Sequence, residues 1–220
     1  MNPSQSPRTT RLLDRLAHDL RGPLTPLQTA SYLLRSGQVE GEQQQELLAV
    51  IERQTRRLAQ MIEELGDWSR IGQARLLGPF EPCDPALLLD YARTDINTST
   101  LTIVDDADAA VINGDPVRLT QLLKILIEYA NARGSARMPT VSLRIEGPSL
   151  RIDVRDIGPV PDQTELATLF EEPQPEPYDE GLGLRLLIAC AIAQAHGGSL
   201  VAMADDGHLL LRCELPLAVD

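Results

Sequence analysis

The sequence predicts an α+β fold, in which an N-terminal antiparallel helical hairpin pairs with a second copy as a four-helix bundle and an α/β sandwich follows. Three features predict it. Two heptad-like apolar stripes lie upstream of Gly72, a Gly- and Pro-rich break runs from Gly72 to Pro85, and helical and strand-like apolar runs then alternate to the C-terminus. On this basis residues 1–75 form one domain and residues 76–220 another.

The first helix is predicted over Thr10–Arg35, with the inward stripe Leu13, Leu16, Leu20, Pro23, Leu27, Ala30 and Leu34. Pro23 and Pro26 each remove an amide donor and should kink it. After a Ser36–Gly41 turn, Leu47, Ile51, Gln54, Leu58, Met61, Leu65 and Trp68 make a stronger stripe at alternating steps of four and three. Two helices cannot bury both stripes completely on each other, so a homodimer is expected. Downstream, helices are predicted over Pro85–Arg93, Pro116–Arg133 and Leu184–His196. Strands are predicted at Leu101–Val104, Thr140–Glu146, Ser149–Asp156, Ser199–Ala204 and His208–Leu215, with Gly147-Pro148-Ser149 turning a hairpin.

Composition narrows the function classes. The net charge is −12 and unevenly placed: residues 1–75 carry 10 basic and 9 acidic side chains, residues 76–220 carry 10 and 23. Nucleic-acid affinity depends on Lys and Arg neutralising phosphates, so a nucleic-acid partner is not expected. The longest apolar run, Leu186–Ala193, is far short of the ~20 residues that span a bilayer, and no signal-peptide segment is visible, so neither membrane insertion nor export is expected. Cys83, Cys190 and Cys213 are odd in number, widely spaced and lack a CxxC pair, which reads as buried thiols in a reducing cytoplasm rather than a disulfide or zinc framework.

His18 falls midway between seam positions Leu16 and Leu20, which turns it outward. An exposed imidazole is a good nucleophile near neutral pH. The adjacent Asp19 would fix its tautomer, and Arg21 adds a cation for phosphate oxygens. A lone helical histidine is more often a plain solvated side chain. His18-Asp19-Leu20-Arg21-Gly22-Pro23-Leu24, however, resembles the phosphoacceptor box of histidine kinases, set at the start of a heptad hairpin as in that family's dimerisation and histidine-phosphotransfer domain. The resemblance implies His18, Asp19 and Arg21 as the catalytic set. Gly22 stands where many members have a Thr or Asn that positions water for dephosphorylating the regulator, so phosphatase activity is not carried over.

The resemblance continues through the second domain, which it implies to be a GHKL-type ATP-binding (Bergerat) sandwich. Gly114–Leu123 resembles the lead into the helix that bears the nucleotide- and magnesium-binding asparagines, and Asp156-Ile157-Gly158 the segment whose Asp meets the adenine amino group. Gly181-Leu182-Gly183-Leu184 resembles the glycine loop near the phosphates, and His196–Leu200 and Leu215-Pro216-Leu217 the closing strands. Asp156, Gly158, Gly181 and Gly183 are thereby the implied, degenerate cofactor-binding residues, with no protein metal site. The departures fall on the chemistry. Ile125 and Tyr129 stand at the asparagine positions, and a two-residue shift to Asn131 would rotate it about 200° around the helix. Val160 replaces the second glycine, Pro161 stiffens that turn, and the stretch Phe170–Gly181 holds five acids and no Lys or Arg.

The expected function is therefore two-component signalling in which His18 carries a phosphoryl group to or from a response-regulator Asp, as a phosphotransferase or degenerate kinase with impaired ATP use. In that reading no cofactor is required, and the partners are a second copy, a receiver domain and an upstream hybrid kinase. An active autokinase using ATP and Mg²⁺, lacking its own sensor domain, is the alternative; a non-catalytic dimeric interaction module is a third. Regulator specificity is expected on Thr25, Gln28, Thr29, Tyr32, Arg57 and Gln60.

Overall fold

A computed structural model describes residues 7–37, 39–94, 101–134, 139–174 and 181–218, with side chains from His18 onward. The chain divides into two compact units, Met1–Gly66 with Glu180–Leu182, and Asp67–Asp179 with Gly183–Asp220.

The first unit is built from α1 (Pro7–Arg35) and α2 (Glu42–Gly72) up to Gly66. Between them Gly37 and Gly41 take φ of 67° and 61°, a left-handed backbone open to glycine without steric cost. α1 runs on through Pro23 and Pro26, each of which withdraws an amide from its ladder. The Thr25 and Thr29 hydroxyls donate to the carbonyls of Arg21 and Thr25, at 3.4 and 3.0 Å. The expected seam turns inward: Pro23, Ala30, Gln54 and Met61 are buried, and Leu20, Leu27, Leu34, Leu47, Ile51 and Leu58 half-buried. Leu65 departs from it and is 37% exposed, while Glu64 and Asp67 are each 4% exposed. Both carboxylates are held by hydrogen bonds, Glu64 by the Leu182 amide and Gln60, and Asp67 by Arg118, Gln121 and Arg70.

The second unit is a five-stranded sheet under three helices. β1 (Glu81–Cys83) and β3 (Ile112–Gly114) make a small antiparallel pair. β2 (Thr102–Asp106), β4 (Thr140–Glu146), β5 (Ser149–Arg155), β6 (Ser199–Asp205) and β7 (His208–Pro216) make the main sheet in the order β2-β4-β5-β7-β6, antiparallel except for β2 with β4. α3 (Pro85–Thr94), α4 (Pro116–Arg133) and α6 (Arg185–Ala195) supply the helical layer, and α5 (Gln163–Thr168) is a short outlier. Strand alternation makes the core: Val141, Leu143, Leu150, Ile152 and Val154 are at most 2% exposed. On the other face Arg212 holds Asp153 with two hydrogen bonds of 2.7 and 2.9 Å, which raise the Arg212 pKa. Beside it Arg151 pairs with Glu146 and Glu214, and Arg155 with Asp205.

α4 positions the rest. Asp115 caps it by accepting from the amides of Val117 and Arg118 at 3.0 and 3.2 Å, with Pro116 at the first helical position. The other Asp115 oxygen accepts from the Gly78 amide at 2.7 Å. His196, 5% exposed at the end of α6, accepts the Asp115 amide on Nε2 at 3.0 Å and donates from Nδ1 to the Ile192 carbonyl at 2.8 Å. Phe80 stacks on its ring with centroids 5.2 Å apart. A Cβ on Gly114 would lie 2.7 Å from that imidazole, so only glycine fits there.

The long elements lie where the sequence predicts them to within two or three residues. β1, β3 and α5 were not expected, and β1 lies inside the stretch assigned as linker. That stretch is also tied down upstream. Asp67 accepts from Arg118 and Arg70 at 2.8 Å each and from Gln121 at 2.7 Å, and Arg118 Nε donates to the Leu76 carbonyl at 3.0 Å.

All three thiols are free; Cys83 and Cys213 are buried, whereas Cys190 is half-buried rather than sealed. Burial pushes Cys213 up to about 12, with the charges of Cys190 and Glu214 adding to the effect. Between the ordinary thiol value of 9.0 and about 12 the folded chain keeps a proton that the unfolded chain releases, so stability falls with rising pH across that window. The loss from this group is expected to reach about 4 kcal/mol at the top of the window. Urea unfolding at pH 8 and pH 10.5 checks it, since Cys213→Ala should show a shallower alkaline loss than the wild type; equal slopes would exclude the thiol as the source.

Candidate functional site

His18 stands on α1 with its side chain 88% exposed, and its Nδ1 lies 3.3 Å from Asp19 Oδ1. Asp19 is 30% exposed and Arg21 is exposed on the next turn. With the proton on Nδ1 facing the carboxylate, Nε2 carries the lone pair toward solvent. Gly22, one turn on from His18, has open space around a notional Cβ. Of the positions expected to read a regulator, Thr25, Gln28, Thr29 and Tyr32 are exposed, Tyr32 by 73%. Arg57 and Gln60 are half-buried, and Gln60 donates to Glu64 at 3.0 Å, so these two are less available than the sequence suggests.

Asp156, Gly158 and Gly183, assigned to nucleotide binding, lie in the second unit, whereas Gly181 and Leu182 belong to the first. Asp156, at the end of β5, is 1% exposed. Its Oδ1 accepts the Leu209 amide at 3.0 Å and its Oδ2 accepts from Arg133 Nε at 2.5 Å. Arg133, in the last turn of α4, also donates to the Pro159 carbonyl and lies over the Tyr129 ring at 5.8 Å. Burial acts to lower the Arg133 pKa, but the hydrogen bond to Asp156, with the charges of Tyr129 and Asp156, outweighs it and leaves it raised. A Cβ on Gly158 would come within 2.6 Å of the Arg133 carbonyl, and one on Gly183, at φ 77°, within 2.2 Å of the Gln174 carbonyl. Gly183 in turn accepts the Gln174 amide at 2.9 Å. Both glycines are thus required by close approach of this chain's own backbone.

Ile125 and Tyr129 are each 4% exposed on the inward side of α4, and Glu128 is ion-paired with Arg185. Within the first unit, the Leu182 amide donates to Glu64 at 2.9 Å. Of the acidic stretch Phe170–Gly181, residues 175–180 lie outside the described residues. Sequence reasoning missed Arg133, Gln174 and Glu64; for none of them does local spacing signal the partner, which lies 23, 9 or 118 residues away.

Residues 8–74 match the family model "His Kinase A (phospho-acceptor) domain", and residues 114–218 match "Histidine kinase-, DNA gyrase B-, and HSP90-like ATPase". Among curated relatives, sensor protein ChvG of Agrobacterium fabrum is 30% identical over 88% of this chain, and sensory histidine kinase/phosphatase NtrB of Rhodobacter capsulatus 29% identical over 94%. The chain spans 37% and 62% of those proteins' lengths. The Acinetobacter baumannii histidine kinase AdeS superposes with a TM-score of 0.74 at 20% identity, covering 92% of this chain and 98% of that one. Histidine kinase ThkA, solved in complex with response regulator protein TrrA, gives 0.75 at 18%, covering 94% and 61%. These two share the fold. No helix among the described residues is long and apolar enough to cross a membrane. An outward imidazole on a heptad hairpin, an ATPase-type sandwich later in the sequence and a family match for each part together make this chain a histidine kinase core, a phospho-acceptor domain followed by a histidine-kinase-type ATPase domain.

Proposed function

We propose that this histidine kinase core acts chiefly as a phosphotransferase: His18 takes a phosphoryl group from the aspartyl phosphate of one response-regulator receiver domain and passes it to another, with impaired use of ATP. The observation that carries the reading is the exposed His18–Asp19 pair in a chain whose ATPase-type domain closes its own side chains and backbone on the positions a nucleotide would use. In the forward step the Nε2 lone pair attacks phosphorus, the bond to the receiver's aspartate oxygen breaks, and that carboxylate leaves with the electron pair. Asp19 holds the Nδ1 proton and balances the charge that the ring acquires. Arg21 meets phosphate oxygens. Residues 1–75 serve as the dimerisation and transfer hairpin, residues 76–220 as a docking body.

A homodimer is part of this reading. Leu24, Leu33, Leu48 and Ile62 leave apolar surface on the hairpin, Ile62 being 64% exposed, and a second copy of the hairpin would cover surface of this kind.

In kinases a domain of this ATPase family uses ATP with Mg²⁺, and the residues here do not fit that pair. A buried Ile125 and Tyr129 replace amide oxygens with a methyl-bearing chain and a phenol. Asp156 is already engaged on both oxygens. Among the described residues from Arg93 onward, every arginine is ion-paired to a carboxylate of this chain, and Lys124, the single lysine, is also engaged. Among these residues that leaves no arginine uncommitted for a triphosphate. The ATPase family match itself favours the second reading, an ATP-dependent autokinase. Incubation with Mg²⁺ and γ-labelled ATP, against incubation with a receiver domain charged by labelled acetyl phosphate, separates the two. Acid-labile label on His18 from the receiver alone is expected; rapid label from ATP would establish the autokinase instead, and label from neither source would leave a docking module.

A further inference from the structure

The ion pair of Arg133 and Asp156 differs from the others in this chain. Both side chains are nearly sealed, 6% and 1% exposed, whereas those of the pairs on the outer face of the sheet are between 17% and 46% exposed. Burying two charges is costly unless each is fully met by hydrogen bonds. Here both are held: the carboxylate by Arg133 Nε and the Leu209 amide, the guanidinium by Asp156 and the Pro159 carbonyl, with its carbon 5.8 Å from the centre of the Tyr129 ring. A flat group rich in N–H donors, set near an aromatic ring and donating to a buried carboxylate, is what a pocket for a small planar amine or amidine would hold. The surrounding chain shuts on it. The Asp156–Pro159 loop presses so closely on the end of α4 that a Cβ on Gly158 would clash with the Arg133 carbonyl at 2.6 Å.

We infer that Arg133 is an internal ligand of the ATPase-type domain, its guanidinium occupying the acceptors of Asp156 so that the domain is folded and complete without an adenine-bearing molecule. The inference rests on the reading of impaired ATP use and gives it a cause: the carboxylate that would receive an exocyclic amine is satisfied from within. A purine entering from solvent has to displace a buried, doubly bonded guanidinium. Truncation of Arg133, conversely, leaves a buried carboxylate beside an aromatic face and a space of guanidinium shape, which a small planar cation from solution can fill.

Thermal unfolding of the full chain tests this. Wild type is expected to shift by less than about 1 °C with millimolar ADP or adenine, with or without Mg²⁺, because a ligand stabilises only by binding the folded state. Arg133→Ala is expected to unfold on the order of 10 °C lower. Millimolar methylguanidinium should recover several degrees of that loss saturably, where equal sodium chloride does not, and adding Asp156→Asn should erase the recovery. Should Arg133→Ala not fold, Arg133→Gln is read by the same recovery. A folded Arg133 variant that methylguanidinium leaves unchanged overturns the internal-ligand assignment while the phosphotransfer reading, which depends on label at His18, stands. A wild-type protein stabilised by ADP, with the effect lost in Asp156→Asn, overturns both the assignment and the impaired use of ATP.

Discussion

His18→Gln is expected to abolish phosphoryl acceptance from a charged receiver domain, to below a hundredth of the wild-type rate, while leaving thermal stability unchanged. The amide of glutamine keeps a polar side chain at an exposed position but offers no nitrogen lone pair to attack phosphorus. At 88% exposure the imidazole packs against little, so its loss should cost less than about 0.5 kcal/mol. Asp19→Asn should retain acceptance at a rate lowered roughly 10- to 100-fold, since it loses the carboxylate that holds Nδ1 and balances the phosphorylated ring. Initial rates of label transfer from the receiver measure both variants. Transfer persisting in His18→Gln at the wild-type rate would move the phosphoryl site to another residue.

The second large effect is on stability. Asp67→Ala is expected to destabilise the α/β unit by about 3–5 kcal/mol, because it leaves Arg118, 15% exposed, without a counter-charge and the Gln121 amide without its acceptor. Arg70→Ala removes a partner of the same carboxylate from the solvent side, where Arg70 is 54% exposed, and should cost less than about 1 kcal/mol. The contrast can be read from urea unfolding of the two variants at pH 7. Equal, small losses would mean that Asp67 is solvated rather than a buried anchor of Arg118.

Much of this molecule is legible in its sequence because the signals are local and periodic. The α1 and α2 stripes, the Asp115-Pro116 start of α4 and the Gly147 hairpin each lie within a few residues of the structure they specify. Short pieces escape. β1 and β3 have three residues each and form only as a pair, Glu81 opposite Gly114, across a separation that no spacing rule reads. α5 had a readable signal, the Asp162 and Glu165 capping box, which six residues of weak apolar pattern obscured.

The candidate site divides in the same way. The exposure of His18 could be read from heptad position, and its pairing with Asp19 from their adjacency in the sequence. The closure around Asp156 could not, because Arg133 looks like an ordinary basic residue in the last turn of a helix, where a cation is favoured by the dipole anyway. Burial of Glu64 and Asp67 was equally hidden, since a carboxylate on a helix normally faces water.

The saturation of arginines by neighbouring carboxylates has an effect beyond the cleft. With the described arginines from Arg93 onward each paired at short range, the surplus acids set the distant potential of the α/β unit, and polyphosphates meet repulsion before they touch the surface. Raising ionic strength would therefore ease the approach of such anions, the reverse of what a cation-lined nucleotide pocket shows.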